Sequence, residues 1–380
     1  MPTITDTDAW TRLTAHRDEL AKTSLRSLFA DNPTRSAELA WELDGLYLDL
    51  ARQRLTSETL GFLVELARAA DAEGRRRALF NGQLVNTTEG RAALHMALRD
   101  VSGLPAAAAT TEASTQRQAM TTFADAVRDG TETGITGKPF TDAVNIGIGG
   151  SHIGPHTATA ALRKPGAMPR VHYVANVDGN DLTSTLAGLN PETTLFLVAS
   201  KAFTTAETMT NARSARAWLS AALGDDAIPA HFVALSANTQ AVTEFGISEN
   251  RMFAFAEWVG GRFSLWSTIG LSTALAIGSA YFDELLAGAH AMDQHFVTAP
   301  LSENLPVLLA LTDLWNRNLL NLPVRAVLPY DERLRYLPAH LQQLEMESNG
   351  KGVTIAGEPV TGLPASVVFG MAGTNGQHSF

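Results

Sequence analysis

The chain has 380 residues, 45% of them hydrophobic and 18% charged, a composition typical of a globular protein large enough for two domains. A formal net charge of −10 argues against a nucleic-acid-binding surface, and the lack of cysteine excludes disulfides, thiolate metal ligands and cysteine nucleophiles. The sequence has neither a secretory signal pattern nor an apolar run near the roughly 18 residues of a spanning helix. We therefore expect a cytoplasmic enzyme.

The N-terminal part of the chain is predicted to be helical. Over residues 7–80, apolar residues recur at intervals of three and four with charges between them, as in "ELAWELDGLYLDLARQRL" and "SETLGFLVELARAADAEGRRRALF". This spacing predicts amphipathic helices that cover a core with one face.

The pattern changes to short β-rich runs from about residue 140. Five runs alternate with helix-like segments: "DAVNIGIGG", "RVHYVANVD", "TTLFLVASK", "HFVALSA" and "RMFAFAE". Continuous apolar strands that alternate with helices indicate a parallel sheet covered on both faces. We predict one doubly wound α/β domain over about 140–260.

The last third of the chain predicts helices and then the start of a second sheet. A helical stretch over 263–296 is followed by two strand-like runs, "PVRAVLPY" and "ASVVFG". The chain then stops at "GTNGQHSF", directly after a Gly/Asn-rich turn. We expect the second sheet to be incomplete and the chain to be a fragment of a longer protein.

A glycine-rich turn, "NIGIGGSHIGP" at 145–155, follows the first predicted strand and leads into a predicted helix. Free N–H groups at such a helix start bind anions, so a dinucleotide, a triphosphate or a sugar phosphate would each suit it. His152 stands where the dinucleotide motif needs its third glycine, although Asp178 is placed as a ribose-binding acid. The triphosphate motif fails because no Gly-Lys-Ser/Thr follows, and a turn without a ligand remains an alternative.

A second predicted anion site lies in "VASKAFTTAET", at 198–208. Ser200 and Lys201 end a strand, and Thr204 or Thr205 is placed to cap the helix that follows. Hydroxyls, an ammonium group and helix N–H groups at one strand end suit a phosphate monoester, although an ordinary capped helix with a solvated lysine fits equally well.

Three further segments carry candidate catalytic groups. Gln343 and Glu347 lie four residues apart on a predicted helix that ends near Gly350, and Glu347 is a candidate general base there. Arg262 follows two glycines that permit close approach of a ligand, and His378 lies among turn-forming residues. Surface or structural roles are the alternatives for all of them.

His152 and His156 have the i, i+4 spacing of a metal-binding pair. Gly154 and Pro155 lie between them, and the HExxH pattern of helical zinc sites is missing. We therefore predict no metal site.

Six motifs together resemble the glucose-6-phosphate isomerase family. In chain order they are "NTTEGRAALHMALR" at 86–99, "NIGIGGSHIGP", "SKAFTTAET", "GGRFSLWSTIGL", "LQQLEMESNGK" and "GTNGQHSF". One such motif is weak evidence, but six in the same order are specific, and the resemblance runs from the N-terminal helices to the last residue.

The resemblance implies two three-layer α/β/α domains of the sugar-isomerase type with parallel sheets. It places a helical segment at 1–120, the first domain at 121–285 and an incomplete second domain at 286–380. It implies a homodimer with shared active sites that interconverts glucose 6-phosphate and fructose 6-phosphate without a metal or other cofactor.

The resemblance also implies roles for individual residues. Glu347 matches the base that moves a proton between C1 and C2, Arg262 matches the cation beside the enediolate, and His378 matches the ring-opening residue, which the partner subunit contributes. The positions that match substrate contacts are Gly150, Ser151, Ser200, Lys201, Thr205 and Gln343.

The chain departs from the family at two points. Ala202 stands where the family usually has a threonine in its phosphate loop, so one hydroxyl donor is missing. Family members also continue beyond the His378 motif and supply a lysine and a glutamine to the site, so we expect little or no activity from this chain alone. The alternatives are an isomerase that also accepts mannose 6-phosphate, a non-catalytic sugar-phosphate-binding module and, more distantly, a dinucleotide-dependent enzyme.

Overall fold

A computed structural model describes residues 3–100 and 107–380. Contacts divide these residues into two compact units. The first unit comprises the described residues of 1–81 together with 291–325 and 349–367, and the second comprises those of 82–290 together with 326–348 and 368–380. The domain boundaries predicted after residues 120 and 285 stay a prediction, and residues 101–106 of the predicted helical segment lie outside the described residues.

Helices and strands alternate through most of the second unit, whereas the first unit is mainly helical. The strands are β1 (Ala40–Leu43), β2 (Leu46–Asp49), β3 (Asp142–Ile146), β4 (Arg170–Val174), β5 (Thr194–Ala199), β6 (Phe232–Ser236), β7 (Met252–Ala254), β8 (Val324–Val327) and β9 (Val367–Gly370). The α-helices are α1 (Asp8–Leu20), α2 (Leu25–Asp31), α3 (Arg35–Glu38), α4 (Ser57–Ala69), α5 (Ala72–Phe80), α6 (Ala107–Asp129), α7 (Ile153–Leu162), α8 (Gly179–Leu186), α9 (Ala206–Leu223), α10 (Ile228–His231), α11 (Thr239–Phe245), α12 (Leu271–Ile277), α13 (Ser279–Thr298), α14 (Leu305–Leu314) and α15 (Leu337–Gln342).

The predicted doubly wound domain is confirmed. Strands β3 to β7 form one five-stranded sheet in the order β4-β3-β5-β6-β7, and every neighbouring pair is parallel. The chain runs from β3 outward to β4 and then returns to β5 on the other side of β3. The strand order therefore reverses at β3 and β5, which is where open α/β sheets bind their ligands.

Both faces of this sheet are covered, because successive side chains of a strand point to opposite faces. Leu195 and Leu197 of β5 pack in a core with residues of α6, α12 and α13, while Phe196 and Val198 pack in a second core with residues of α8, α9 and α11. All four side chains are fully buried. Burial on both faces explains the continuous apolar runs in these strands.

The helical prediction for residues 7–80 is wrong at one place. "ELAWELDGLYLDLARQRL" contains the antiparallel hairpin of β1 and β2 rather than a helix. Asp44 and Gly45 form its turn with φ angles of 47° and 80°. An Asp-Gly pair with both residues in the left-handed region is typical of tight hairpin turns, and it outweighs the helical spacing around it.

The two strands predicted near the end of the chain, β8 and β9, form a two-stranded sheet. Within the described parts of the chain, no helix combines the length and the hydropathy that crossing a bilayer requires.

Candidate functional site

The glycine-rich turn lies where the sequence predicts it, between the end of β3 and the start of α7. Residues Gly149–Ser151 form one 3₁₀ turn. A Cβ atom on Gly150 would lie 1.9 Å from the carbonyl oxygen of Gly261, and Ser264 Oγ donates a 2.9 Å hydrogen bond to the Gly150 carbonyl. The turn that carries Arg262 is therefore docked directly on the glycine turn.

Gln343 lies against the same turn. Its Nε2 would be 3.2 Å from a Cβ atom built on Gly149. Gln343 Oε1 is buried and accepts no hydrogen bond from the described residues. An acceptor in this position is suited to a hydroxyl group of a ligand, because a buried polar atom without a partner is costly.

Glu347 lies at the end of the helical turn that Gln343 begins. The predicted helix is confirmed, but after α15 it continues as a π-helical turn over Gln343–Glu347 before it ends ahead of Gly350. Such π turns occur often at functional sites. The Glu347 carboxylate is exposed, and its Oε2 accepts a 2.8 Å hydrogen bond from Ser348 Oγ.

The second predicted turn follows β5, next to β3 in the sheet. Ser200 is buried, and its Oγ lies 3.2 Å from Thr205 Oγ1. Thr205 occupies the N-cap position of α9, but its hydroxyl makes no capping bond. Phe203 adopts a φ of 56°, a strained conformation for a residue with a side chain, and such strain is concentrated at ligand-binding sites.

Lys201 is held by a carboxylate and a carbonyl group. Its Nζ lies 2.9 Å from the Glu257 carbonyl oxygen and 3.3 Å from Glu257 Oε2. Arg91, from the motif at 86–99, contacts the same two groups at 2.6 and 3.1 Å. Sequence reasoning missed Glu257 because nothing in its local pattern indicates that two cations meet there.

The two turns are neighbours, as the sheet topology requires. A Cβ atom on Gly147, just after β3, would lie 3.1 Å from Ala199 Cβ at the end of β5. Gly150, Arg262 and Gln343 therefore meet at the carboxyl end of β3, with the turn that carries the second predicted anion site alongside.

Arg262 lies in the 3₁₀ segment Gly261–Trp266 and is partly buried. Its guanidinium carbon is 4.7 Å from the centroid of the Phe263 ring. His95 stacks on the same ring, with centroids 3.8 Å apart and planes 6° apart. Burial, and then the charges of Arg99 and Arg262, lower the pKa of His95 to about 3, so the imidazole is neutral at physiological pH.

The last of the predicted site residues along the chain is His378. It ends the 3₁₀ segment Asn375–His378, which follows β9, and its side chain is exposed. Among the described residues no hydrogen bond joins it to another predicted site residue.

His152 and His156 contact each other rather than presenting two free ligand atoms. His156 Nδ1 lies 3.2 Å from His152 Nε2, and the His156 ring stacks on Tyr173 at 4.4 Å. Burial, followed by the charges of His152 and Arg335, lowers the pKa of His156 to about 4. Within residues 3–100 and 107–380 no cluster of three or more candidate ligands could hold a metal ion.

A doubly wound parallel sheet with a glycine-rich turn and a hydroxyl-bearing turn at its strand-order reversal is an α/β architecture that places a ligand site at that edge. The sequence model of the family described as "Phosphoglucose isomerase" matches residues 49–380. The chain is 51% identical to a glucose-6-phosphate isomerase of Deinococcus radiodurans, with 100% of this chain and 71% of the relative covered. It is 49% identical to one of Brucella abortus, with 97% and 68% covered.

A solved structure gives the same result. The crystal structure of a glucose-6-phosphate isomerase from Chlamydia trachomatis superposes with a TM-score of 0.88 at 30% identity, covering 100% of this chain and 73% of that one. The chain belongs to the phosphoglucose isomerase family. It is an isomerase.

Proposed function

We propose that the chain interconverts D-glucose 6-phosphate and D-fructose 6-phosphate through a cis-enediol intermediate. The convergence of the glycine turn, Gln343 and the Arg262 turn beside the second anion-binding turn carries this proposal. The names of the relatives point to the same reaction.

The substrate phosphate is assigned to the turn after β5. The hydroxyls of Ser200 and Thr205 lie 3.2 Å apart, and the first-turn N–H groups of α9 have no acceptors within their own helix. Lys201 adds a positive charge, and the glycine turn, through Gly150 and Ser151, contacts the sugar. The phosphate forms no new bond in this reaction, so these contacts supply binding energy and orientation.

Proton transfer is assigned to Glu347. Its carboxylate takes the proton from C2 of the open-chain aldose and returns it to C1, while a proton passes from O2 to O1 to complete the ketose. A positioned base of this kind contributes about 10²–10⁴-fold to the rate. Gln343, one helical turn earlier, is assigned to a substrate contact, for which its buried Oε1 is suited.

Arg262 is assigned to the negative charge that develops on the enediolate oxygens. A guanidinium suits this role because it keeps its proton at every physiological pH, and a fixed charge needs no rearrangement during the reaction. Docking of its turn on Gly150 supplies the fixed position.

Ring opening is assigned to His378 of a partner subunit, which makes the working unit a homodimer with shared sites. An imidazole is suited to exchange a proton with the ring oxygen near neutral pH. We also propose a cytoplasmic location, where both sugar phosphates occur as metabolites.

The reaction is tested by supplying fructose 6-phosphate to the purified 380-residue protein. The glucose 6-phosphate that forms is oxidised by a coupling enzyme, and that oxidation is measured. Because family members continue beyond the His378 motif, we expect only low turnover in the wild type, and a further loss of about 10²–10⁴-fold in kcat for Glu347→Gln. Glu358→Gln, the same change at an exposed carboxylate, is the control and retains activity.

An isotope experiment distinguishes a mechanism in which one base moves the proton from C2 to C1 from a mechanism that uses two separate bases. With glucose 6-phosphate deuterated at C2, part of the deuterium should reach C1 of the product. Deuterium at C1 of the product requires that one group carries it, because two independent bases would deliver only solvent protons to C1. A wild-type protein that binds the sugar phosphates without converting them would instead support a non-catalytic binding module.

A further inference from the structure

His95 is a partly buried titratable group to which the proposed reaction gives no role. It begins the 3₁₀ segment His95–Leu98, within the motif at 86–99. Its ring lies flat on Phe263, at 3.8 Å and 6°, which is closer and more parallel than most aromatic pairs. Phe263 is the residue next to Arg262, so the stack stands beside the proposed catalytic cation.

The Arg262 side chain uses the same aromatic ring. Its guanidinium carbon lies 4.7 Å from the Phe263 centroid, within the range of a cation–π contact. Two glycines, Gly260 and Gly261, precede Arg262 and leave the backbone of this turn intrinsically free. Contacts from other parts of the fold must therefore restrict Arg262.

The segment that carries His95 is tied to the Arg262 turn at several points. Leu94 N–H donates to the Trp258 carbonyl at 3.3 Å. Arg99, which is buried, places its guanidinium 5.3 Å from the Trp266 centroid at the other end of the Gly261–Trp266 segment. The His95–Phe263 stack lies between these two anchors in the sequence of each segment.

Among the described residues, the charged groups that act on His95 are both positive: Arg99 from its own segment and Arg262 from the opposite turn. A protonated imidazole would add a third positive charge and repel the guanidinium that the reaction needs. A neutral ring avoids this repulsion. It stacks on Phe263 and does not compete with Arg262 for the anionic ligand.

We propose that His95 is a positioning residue for Arg262: its uncharged ring, stacked on Phe263, fixes the turn that aims the guanidinium at the enediolate. This role rests on the proposed function. His95 itself exchanges no proton with substrate, so an aromatic ring without a titrating nitrogen should replace it.

Two substitutions test the role by steady-state kinetics with fructose 6-phosphate. His95→Ala removes the stack, and we expect kcat to fall by about 10- to 100-fold, the usual cost of a small misplacement, with little change in KM. His95→Phe keeps the ring, and we expect activity within about threefold of the wild type and the same pH profile of kcat/KM. An equal loss in both variants, or a lost limb of the pH profile in His95→Phe, would overturn the proposal.

A double-mutant cycle separates positioning from a general loss of stability. In an Arg262→Lys background, His95→Ala should cost little further kcat, because the group that it positions is already impaired. Leu186→Ala, which removes a buried side chain of α8, controls for destabilisation and should show additive effects with Arg262→Lys. Fully additive losses for His95 and Arg262 would contradict the role.

The outcomes also distinguish this inference from the proposed function. If the wild type isomerises fructose 6-phosphate and His95→Ala is as active, the positioning role is wrong while the reaction stands. If the wild type shows no turnover, the proposed reaction is wrong and the positioning role is wrong with it.

Discussion

Gly150 and Gly261 are in direct backbone contact: a single methyl group on Gly150 would stand 1.9 Å from the Gly261 carbonyl oxygen and 2.4 Å from its carbonyl carbon. Backbone atoms at this distance have no rotamer by which to move away. The contact therefore couples the geometry of the glycine turn to that of the turn that carries Arg262.

Gly150→Ala should accordingly abolish most activity while leaving the protein folded. The added methyl group must separate the two turns, which displaces both Arg262 and the sugar-binding backbone. We expect kcat/KM to fall by at least about 10²-fold, the scale of a 1 Å misplacement. The measurement is the coupled isomerase assay, with circular dichroism to verify the fold.

Gly179→Ala is the matched control for this substitution. Gly179 begins α8, and a Cβ atom there meets nothing within 4 Å. This variant should keep wild-type activity. A Gly150→Ala protein with normal kcat/KM would show that the contact between the two turns does not shape the site.

Ala202 lacks the hydroxyl that a threonine would have, so Ala202→Thr should raise the affinity for the substrate phosphate. Ala202 is exposed in the turn after β5, and its carbonyl accepts a 3.1 Å hydrogen bond from Asn238 Nδ2. Ala202→Thr adds a donor to the proposed phosphate site, and a hydrogen bond to a charged group contributes about 1.5–3 kcal/mol. We expect KM for fructose 6-phosphate to fall by about tenfold or more.

Ala202→Val separates the hydroxyl from the added bulk. Valine has nearly the shape of threonine but cannot donate, so its KM should stay at or above the wild-type value. Equal KM values for the Thr and Val variants would mean that position 202 does not reach the phosphate.

The sheet could be predicted from the sequence because its strands are buried on both faces. Runs such as that of Leu195–Val198 are apolar at every position, and no amphipathic helix has this pattern. The hairpin of β1 and β2 escapes a prediction from periodicity because its side chains also fit a helical spacing, although Asp44 and Gly45 carry the turn signal.

The contacts that shape the candidate site could not be predicted from the sequence, because they join residues that are far apart in the chain. Nothing near His95 in the sequence indicates that it stacks on Phe263, and nothing near Gly150 indicates that Gly261 lies against it. The π turn at Gln343–Glu347 also escapes spacing arguments, which assume an α-helix. Local patterns therefore locate the turns of the site but not the contacts between them.

Asp142 at the start of β3 predicts a pH-dependent contribution to stability. Its carboxylate is 1% exposed and accepts hydrogen bonds from Arg170 at 2.8 and 2.9 Å, with His172 Nε2 at 2.8 Å and Thr141 Oγ1 at 2.8 Å. Burial opposes ionisation, but these bonds outweigh it and lower the pKa of Asp142 below its ordinary value of 3.8. The ionised form therefore stabilises the folded protein.

Asp142→Asn should lower the free energy of unfolding by about 1.5–3 kcal/mol at pH 7, measured by urea denaturation. Because the folded pKa is the lower one, the wild-type advantage is complete above the unfolded value and is lost as the pH falls through the folded value. Asp44→Asn, at an exposed carboxylate in a turn that tolerates asparagine, should show little change at either pH. An advantage that persists unchanged at pH 2 would contradict this account of Asp142.

Shared active sites predict that two inactive variants restore activity to each other. In a homodimer where each site combines Glu347 of one chain with His378 of the other, Glu347→Gln and His378→Ala each impair both sites. A mixed dimer has one site with both lesions and one site with neither. If chains pair at random, half of the dimers are mixed and half of their sites are intact, so activity should recover to about a quarter of the wild-type value.

The experiment is co-expression of the two variants with different affinity tags, tandem purification of the mixed species and native mass spectrometry to verify its mass. The purified mixed dimer should reach about half of wild-type kcat, since one of its two sites is intact. Mixing the two separately purified homodimers without exchange of chains is the control and should give no recovery. A mixed dimer as inactive as its parents would place Glu347 and His378 in the same site of one chain, and a monomer that turns over normally would remove the need for a partner.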